Sequence, residues 1–135
     1  MEIDDQLNIK EKPKLLEEFE NEETILFSGD LVKLSKQNTK EKRQIVITQK
    51  QVYILQAPNY FISTMNFFRR NNQFSVNTKI LITQIKAIFY SRLSDRFVLY
   101  MPEEEDDWTF IDPIKDKIIE YLLFALYTQY QIDNL

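Results

Sequence analysis

Five basic residues occupy an eleven-residue stretch in which Glu41 is the only acid. They are Lys33, Lys36, Lys40, Lys42 and Arg43. Several cations on one loop create a local field that attracts phosphate and other anions. Each contributes about 1 kcal/mol near an anionic leaflet, so five give at most about 5 kcal/mol. The stretch therefore predicts weak, salt-sensitive anion binding, and a solvated loop without function is the alternative.

Two further clusters carry chemistry-bearing side chains. Phe67, Phe68, Arg69 and Arg70 combine paired aromatics with arginines, which suits a membrane interface or an anchor in a protein groove. The competing interpretation is that the phenylalanines fold back as a small core under a long loop. The acidic run from Glu103 to Asp107 has no calcium-loop spacing and is interpreted as a solvated turn.

The 135 residues include no His, no Cys and one Gly, and these absences exclude most catalytic chemistry. Serine and cysteine nucleophile systems need His, and zinc, haem and iron–sulfur sites need His or Cys ligands. A single glycine also excludes the glycine-rich nucleotide-binding loops. We therefore expect a protein that is not an enzyme and that uses no cofactor or metal. The absence of a recognition-helix or RNP-type pattern argues against nucleic acid.

Charge is unevenly distributed along the chain, although the net charge is only -4. Residues 1–30 contain ten acids and three lysines, and residues 101–135 contain nine acids and two lysines. Residues 31–100 contain twelve basic residues and two acids. Such a chain can present a positive face to an anionic partner, or its acidic flanks can neutralise the basic strands within the fold.

Short β-rich runs separated by turn residues fill the middle of the chain. They are residues 25–27, 31–34, 44–48, 51–56, 80–83, 85–90, 96–101 and 108–111. Gln49-Lys50 separates two of these runs and predicts an antiparallel hairpin. Gly29, alone within a strand pattern, predicts a bulge in the first strand.

Helical patterns are expected at both ends. Pro13 opens a short helix within an acidic segment, residues 1–23. Asp112-Pro113 starts a C-terminal helix over residues 112–133, with an apolar row of Ile114, Ile118, Leu122 and Ala125. A second row of Ile119, Leu123, Leu126 and Tyr130 makes the apolar face wider than a sheet alone requires. Residues 24–135 then form the main domain, interrupted by a long loop at 58–78.

This order of elements resembles a pleckstrin homology domain, and it resembles the first tail-homology domain of class I myosins more closely. The similar stretches are RQIVITQKQVYIL (43–55), KILITQIKAI (79–88) and SRLSDRFVLYMPEEEDDWTFI (91–111), followed by the terminal helix. The resemblance covers roughly residues 24–130. It implies an α+β, mainly β fold: a seven-stranded, partly open antiparallel barrel capped by the C-terminal α-helix, with a short N-terminal helix.

The resemblance also implies binding of anionic phospholipids, chiefly phosphoinositides, through the loop between the first two strands. Lys33 matches the family's lysine on the first strand, and Lys40, Lys42 and Arg43 approximate the basic residues that enter the second. The family's Arg-x-Arg ending is absent, because Gln44 and Ile45 follow Arg43. Lysine attracts phosphate as a point charge but lacks the bidentate fork of arginine.

Two functional interpretations follow. The first is a non-catalytic module that binds anionic phospholipid at a membrane linked to the cytoskeleton. The second is a structural subunit of a cytoskeletal or ciliary assembly, which meets an acidic protein surface such as tubulin or holds a protein partner through the C-terminal helix or the 58–78 loop. The acidic start MEIDDQLNIK lacks the apolar run of a signal peptide, so we expect a cytoplasmic, peripheral membrane or cytoskeletal location.

Overall fold

The computed structural model describes residues 2–19, 23–56, 74–104 and 106–133. Helix α1 is Pro13–Leu16 and helix α2 is Lys115–Asp133, and short 3-10 turns occupy Ile9–Glu11 and Ile82–Gln84. The strands are β1 Asp4–Asp5, β2 Ile25–Leu34, β3 Lys40–Thr48, β4 Gln51–Gln56, β5 Ser75–Leu81, β6 Ala87–Tyr90, β7 Arg96–Tyr100 and β8 Trp108–Ile111.

Seven strands form one antiparallel path in the order β5-β4-β3-β2-β8-β7-β6. The path does not close, because β5 and β6 are its two ends and do not pair with each other. Strand β1 lies off this path and pairs in parallel with β2 at Phe27 and Ser28. The expected seven-stranded, partly open barrel is confirmed, and β1 is an eighth strand that the sequence did not predict.

The interior of the barrel is packed by alternate residues of the strands together with helix α2. Ile45, Ile47, Val52 and Ile54 face inward from β3 and β4 and are completely buried. Helix α2 contributes Ile118, Leu122 and Ala125, which are also completely buried in this cluster. Three of the four residues of the predicted apolar row are therefore buried, whereas Ile114 precedes the helix and is exposed. The helix packs against β2, β3 and the 82–84 turn.

A second cluster lies on the outer face of the same strands, where the acidic N-terminal segment covers it. Val46, Tyr53 and Leu55 alternate with the interior residues and are completely buried. They pack against Ile9, Leu15 and Phe19 of the N-terminal segment. The short helix that was predicted to begin at Pro13 is confirmed, and its segment forms one layer of the fold.

Four local expectations differ from the structure. Gly29 is not at a bulge, because it pairs directly with Ile45 within one continuous strand, and the register shift lies between Ile25 and Phe27. A Cβ atom on Gly29 would lie 3.0 Å from Phe27 Cζ, so the glycine permits a close side-chain approach.

The other differences concern element bounds. Strand β5 includes residues 75–78, which the sequence assigned to the long loop, and residues 57–73 lie outside the described part of the chain. Residues 82–84 form a 3-10 turn rather than strand. Helix α2 begins at Lys115 instead of residue 112, because the Asp112 carboxylate accepts the Ile114 N–H at 2.8 Å and caps a turn ahead of the helix.

None of the helices in the described residues is long and apolar enough to span a bilayer.

Candidate anion-binding site

The basic stretch forms the hairpin of β2 and β3, which we call the basic hairpin (Leu31–Arg43). Its register places Lys33 opposite Glu41 and Leu34 opposite Lys40. The Ser35 N–H donates to the Thr39 carbonyl at 2.9 Å, and Ser35 Oγ accepts the Thr39 N–H at 3.0 Å. Asn38 supplies the left-handed backbone of the turn with φ of 62°. The turn is therefore closed by its own hydrogen bonds, which hold the flanking cations in fixed register.

Strand alternation divides these cations between two faces. Arg43 precedes the interior residues Ile45 and Ile47 at two-residue spacing, and it shares their face with Glu41 and the paired Lys33. Lys40 and Lys42 share the outer face with Gln44, whose Nε2 donates to Asp30 Oδ1 at 3.2 Å. The hairpin thus presents basic side chains on both faces.

Two of the five cations are paired with carboxylates. The Arg43 guanidinium lies 3.1 Å from Glu41 Oε2 and donates to the Lys42 carbonyl at 2.8 Å. Lys36 Nζ lies 3.0 Å from Asp106 Oδ2, and both of these side chains are well exposed. Within the described residues, Lys33, Lys40 and Lys42 have no carboxylate oxygen within 4.0 Å. The free positive charge therefore centres on these three lysines.

The Lys36–Asp106 pair shows that the acidic turn lies beside the basic hairpin. Other acids of this turn have structural partners: Asp107 Oδ1 accepts the Met101 N–H at 3.1 Å, and Glu104 Oε1 accepts from Gln84 Nε2 at 2.7 Å. Glu105 lies outside the described residues. The acidic turn closes the β7–β8 connection and lowers the positive potential at Lys36. Within the described residues, no group of three or more candidate ligands could hold a metal ion.

A groove of about 340 Å³ opens beside the basic hairpin, next to the end of β8. We call it the hairpin groove, and it is lined by Asp30, Leu31, Val32, Lys42, Arg43, Ile111, Asp112 and Pro113. Asp112 is buried, and this burial raises the pKa of its carboxyl, with smaller contributions from the negative charges of Asp95 and Asp30. The Ile114 N–H opposes the rise by donating to the carboxylate. The groove is therefore lined by two basic and two acidic residues.

Sequence reasoning did not identify Asp30 and Asp112 as site residues. Asp30 was interpreted as part of a bulge, and Asp112 was interpreted only as a helix cap. They meet because Val32 pairs with Lys42 on one side and with Ile111 on the other. This pairing of strands distant in sequence has no local signal. The predicted contact residues Phe67, Phe68, Arg69 and Arg70 lie outside the described part of the chain.

The second apolar row of α2 is only partly covered. Ile119 is buried, whereas Leu123 is 52% exposed and Tyr130 is 65% exposed. Phe124 and Tyr127, which were not part of the predicted rows, are also exposed. The helix therefore displays aromatic and aliphatic side chains on the side away from the barrel interior.

Solved structures similar to this chain contain pleckstrin homology domains. The Slm1 PH domain in complex with phosphoserine is 17% identical with a TM-score of 0.52, and the match covers 75% of this chain and 91% of that chain. The DH/PH domain of human ARHGEF11, in a ternary complex with human RhoA and its inhibitor, is 12% identical with a TM-score of 0.58 over 87% of this chain. An inhibited Vav1 is 15% identical with a TM-score of 0.54 over 75% of this chain.

At these identities the likeness shows the fold alone. The chain spans 36% of the ARHGEF11 chain and 26% of the Vav1 chain. A comparison with curated protein sequences finds no match.

A family model matches residues 3–132, nearly the whole chain, and its description is unconventional myosin tail, actin- and lipid-binding. The match includes the N-terminal segment that packs on the outer face of the sheet as well as helix α2. It confirms the resemblance drawn from the strand and turn motifs. The chain belongs to the unconventional myosin tail family.

Proposed function

We propose that this domain binds anionic phospholipid, phosphoinositides included, through the basic hairpin and so attaches a cytoskeletal protein to a membrane. The observation that carries this proposal is the set of three lysines, Lys33, Lys40 and Lys42, without a carboxylate within 4.0 Å among the described residues. The family description, which names lipid and actin, supports the same assignment.

The expected affinity follows from the charges. Three uncompensated lysines contribute about 3 kcal/mol near an anionic leaflet, because each contributes about 1 kcal/mol. This corresponds to an enhancement of roughly 150-fold over a neutral bilayer. Exposed charges are screened within about 10 Å at moderate salt, so binding weakens steeply as the ionic strength rises.

Vesicle co-sedimentation tests the proposal. Phosphatidylcholine vesicles are compared with vesicles that also contain phosphatidylserine or a phosphoinositide at matched total charge, at low and high salt. The variant carries Lys40→Glu and Lys42→Glu, and the matched control carries Lys10→Glu and Lys14→Glu at two exposed positions of the N-terminal segment. We expect the hairpin variant to lose most binding to anionic vesicles while the control retains it. Equal loss in both variants, or no loss in the hairpin variant, would contradict the proposal.

A second function is favoured by the exposed side of α2. We propose that Leu123 and Tyr127, one helical turn apart and 52% and 63% exposed, contact a protein of the cytoskeleton. Actin is the partner to test, because the family description names it. In co-sedimentation with actin filaments, Leu123→Ser with Tyr127→Ser should reduce the bound fraction. The control, Glu120→Ser with Gln131→Ser, changes exposed polar positions of the same helix and should not. Filament binding that is unaffected by the apolar pair would contradict this function.

A further inference from the structure

The hairpin groove has the size of a site for a small polar group. Its volume is about 340 Å³, compared with about 30 Å³ for one water molecule in the liquid. Val32 and Lys42 line it from β2 and β3, and Ile111, Asp112 and Pro113 line it from the end of β8, which pairs with β2 at Ile111. The lining therefore combines apolar residues with charged residues of both signs.

These charged groups are of both signs. Lys42 is opposite Val32, and Asp30 lies two residues before Val32 on the same outer face. Asp112 follows Ile111, which pairs with Val32 from the other side. Neither carboxylate has a cationic nitrogen within 4.0 Å in the described part of the chain. A ligand in this groove therefore meets Lys42 and the Glu41-paired Arg43, together with two carboxylates that have no cationic partner within 4.0 Å in the described residues.

Within the described residues, the carboxylate of Asp112 has no cationic partner within 4.0 Å. Its side chain is buried, and in the part of the chain that the structure describes the only hydrogen bond to its carboxylate is that of the Ile114 N–H. Asp95, whose carbonyl accepts the Asp112 N–H at 3.0 Å, adds negative charge nearby. Burial and like charges together disfavour an ionised Asp112, and a bound ammonium would reverse this by pairing with it.

The inner face of the basic hairpin does not offer the same combination. There Glu41 pairs with Arg43 at 3.1 Å and lies directly opposite Lys33, so the carboxylate is already satisfied. An anion on that face meets a partly neutralised surface. In the hairpin groove, Lys42 attracts a phosphate while Asp30 and Asp112 favour a cation beside it.

We propose that the hairpin groove binds a phosphate ester that carries a primary ammonium group, with the phosphate at Lys42 and the ammonium at Asp30 and Asp112. This is the headgroup chemistry of phosphoethanolamine and phosphoserine. The inference rests on the proposed function, because it names the headgroup class that the basic hairpin takes from a membrane.

Soluble headgroups test this inference by amide NMR titration of the whole chain. The probes are phosphoethanolamine, phosphoserine, phosphocholine and inorganic phosphate. We expect the two primary ammonium compounds to bind at least about tenfold more tightly than inorganic phosphate, with the largest shifts at Asp30, Lys42 and Asp112. Phosphocholine carries the same positive charge but has no ammonium N–H to donate, so it should bind less tightly than phosphoethanolamine. Equal affinity for all four probes would overturn the inference.

Three variants test the acidic and the basic residues of the groove separately. Asp30→Asn and Asp112→Asn each keep an oxygen for the native hydrogen bond, so the fold is retained. Both should lower the affinity for phosphoethanolamine while leaving that for inorganic phosphate unchanged or higher. Lys42→Gln should lower both affinities. If the two asparagine variants bind phosphoethanolamine as tightly as the wild type, the ammonium site is disproved.

Vesicle co-sedimentation distinguishes the ammonium site in the groove from general lipid binding by the basic hairpin. With phosphatidylethanolamine or phosphatidylserine in the bilayer, Asp30→Asn should weaken sedimentation, whereas with a phosphoinositide as the only added lipid it should not. If Asp30→Asn has no effect on either bilayer while Lys40→Glu with Lys42→Glu abolishes binding, the groove assignment fails and lipid binding by the hairpin stands. If none of these vesicles binds and the soluble probes do not bind either, both proposals fail.

Discussion

The ring of Phe19 stacks on the ring of Tyr53, with centroids 4.1 Å apart and planes inclined by 14°. Tyr53 is on the outer face of β4, and its hydroxyl donates to Glu23 Oε2 at 2.6 Å. The acidic segment before β2 therefore covers an aromatic side chain of the sheet and also supplies its hydrogen-bond acceptor. This contact makes the N-terminal segment a structural layer of the domain.

Replacing Phe19 with Ala should destabilise the domain strongly. Phe19 is nearly buried, and its removal leaves a cavity against Tyr53 and exposes the outer cluster to water. We expect the free energy of unfolding to fall by about 3 kcal/mol, the lower end for truncation of a buried Phe. Urea unfolding followed by Trp108 fluorescence measures it. The control Glu17→Ala, exposed in the same segment, should change it by less than about 0.5 kcal/mol. A Phe19→Ala variant as stable as this control would contradict the structural role of the segment.

Replacing Gly29 with Ala should also destabilise the domain, because the added methyl group would clash with neighbouring side chains. The added Cβ would lie 3.0 Å from Phe27 Cζ and 3.2 Å from Gln6 Oε1, and Phe27 is completely buried. Since a buried ring has little room to move, we expect a loss of about 1–3 kcal/mol in unfolding free energy. The matched control is Ser75→Thr, which adds one methyl group at an exposed strand position. An unchanged urea midpoint for Gly29→Ala would show that the strand tolerates a methyl group there.

The main sheet was predictable because its signals are local. The β3–β4 hairpin follows from two alternating runs separated by Gln49-Lys50, and the buried row of α2 follows from its spacing. Gly29 was misinterpreted because a lone strand glycine is typical both of a bulge and of a close approach, and only the position of the Phe27 ring distinguishes them. The parallel pairing of Asp4–Asp5 with Phe27–Ser28 joins segments far apart in sequence and leaves no periodic pattern.

The candidate site was predictable in part. The basic residues were evident from composition, but the sequence placed the start of the second strand at Gln44, whereas β3 begins at Lys40. With the strand starting at Lys40, alternation places Glu41 and Arg43 on one face and Lys40 and Lys42 on the other. The carboxylates of Asp30 and Asp112 approach the same groove only through the pairing of β2 with β8.

Replacing Asp112 with Asn should stabilise the domain at neutral pH. Burial and neighbouring carboxylates raise the pKa of Asp112 above its ordinary value of 3.8 in the folded state, so the folded protein binds its proton more tightly than the unfolded chain does. The wild type therefore loses stability as the pH rises from 3.8 through the raised pKa, and asparagine removes this loss. Its side-chain oxygen can still accept the Ile114 N–H.

Urea unfolding over a pH series checks this expectation. The stability difference between Asp112→Asn and the wild type should be largest at neutral pH and should vanish below pH 3.8. The control Glu120→Gln replaces an exposed carboxylate of α2 and should show no comparable dependence. A variant that is less stable than the wild type at neutral pH would mean that the Asp112 charge stabilises the fold.

Replacing Glu41 with Gln should strengthen binding to anionic vesicles. Glu41 neutralises Arg43 at 3.1 Å and lies opposite Lys33 across the hairpin. Removing its carboxylate therefore raises the net charge next to Lys33 and Arg43 by one unit. One charge near an anionic surface contributes about 1 kcal/mol, which corresponds to roughly fivefold in vesicle affinity. The gain should shrink at high salt, because it is electrostatic. Vesicle co-sedimentation at low and high salt measures it.

The control for this prediction is Glu17→Gln, which changes the net charge equally at an exposed position in the N-terminal segment. Its vesicle affinity should stay close to that of the wild type, because a charge more than about 10 Å from the bilayer is largely screened. A similar gain in both variants would show that net charge, rather than the position of the charge on the basic hairpin, governs binding. A loss of affinity in Glu41→Gln alone would show that the Glu41–Arg43 pair positions the arginine for the lipid.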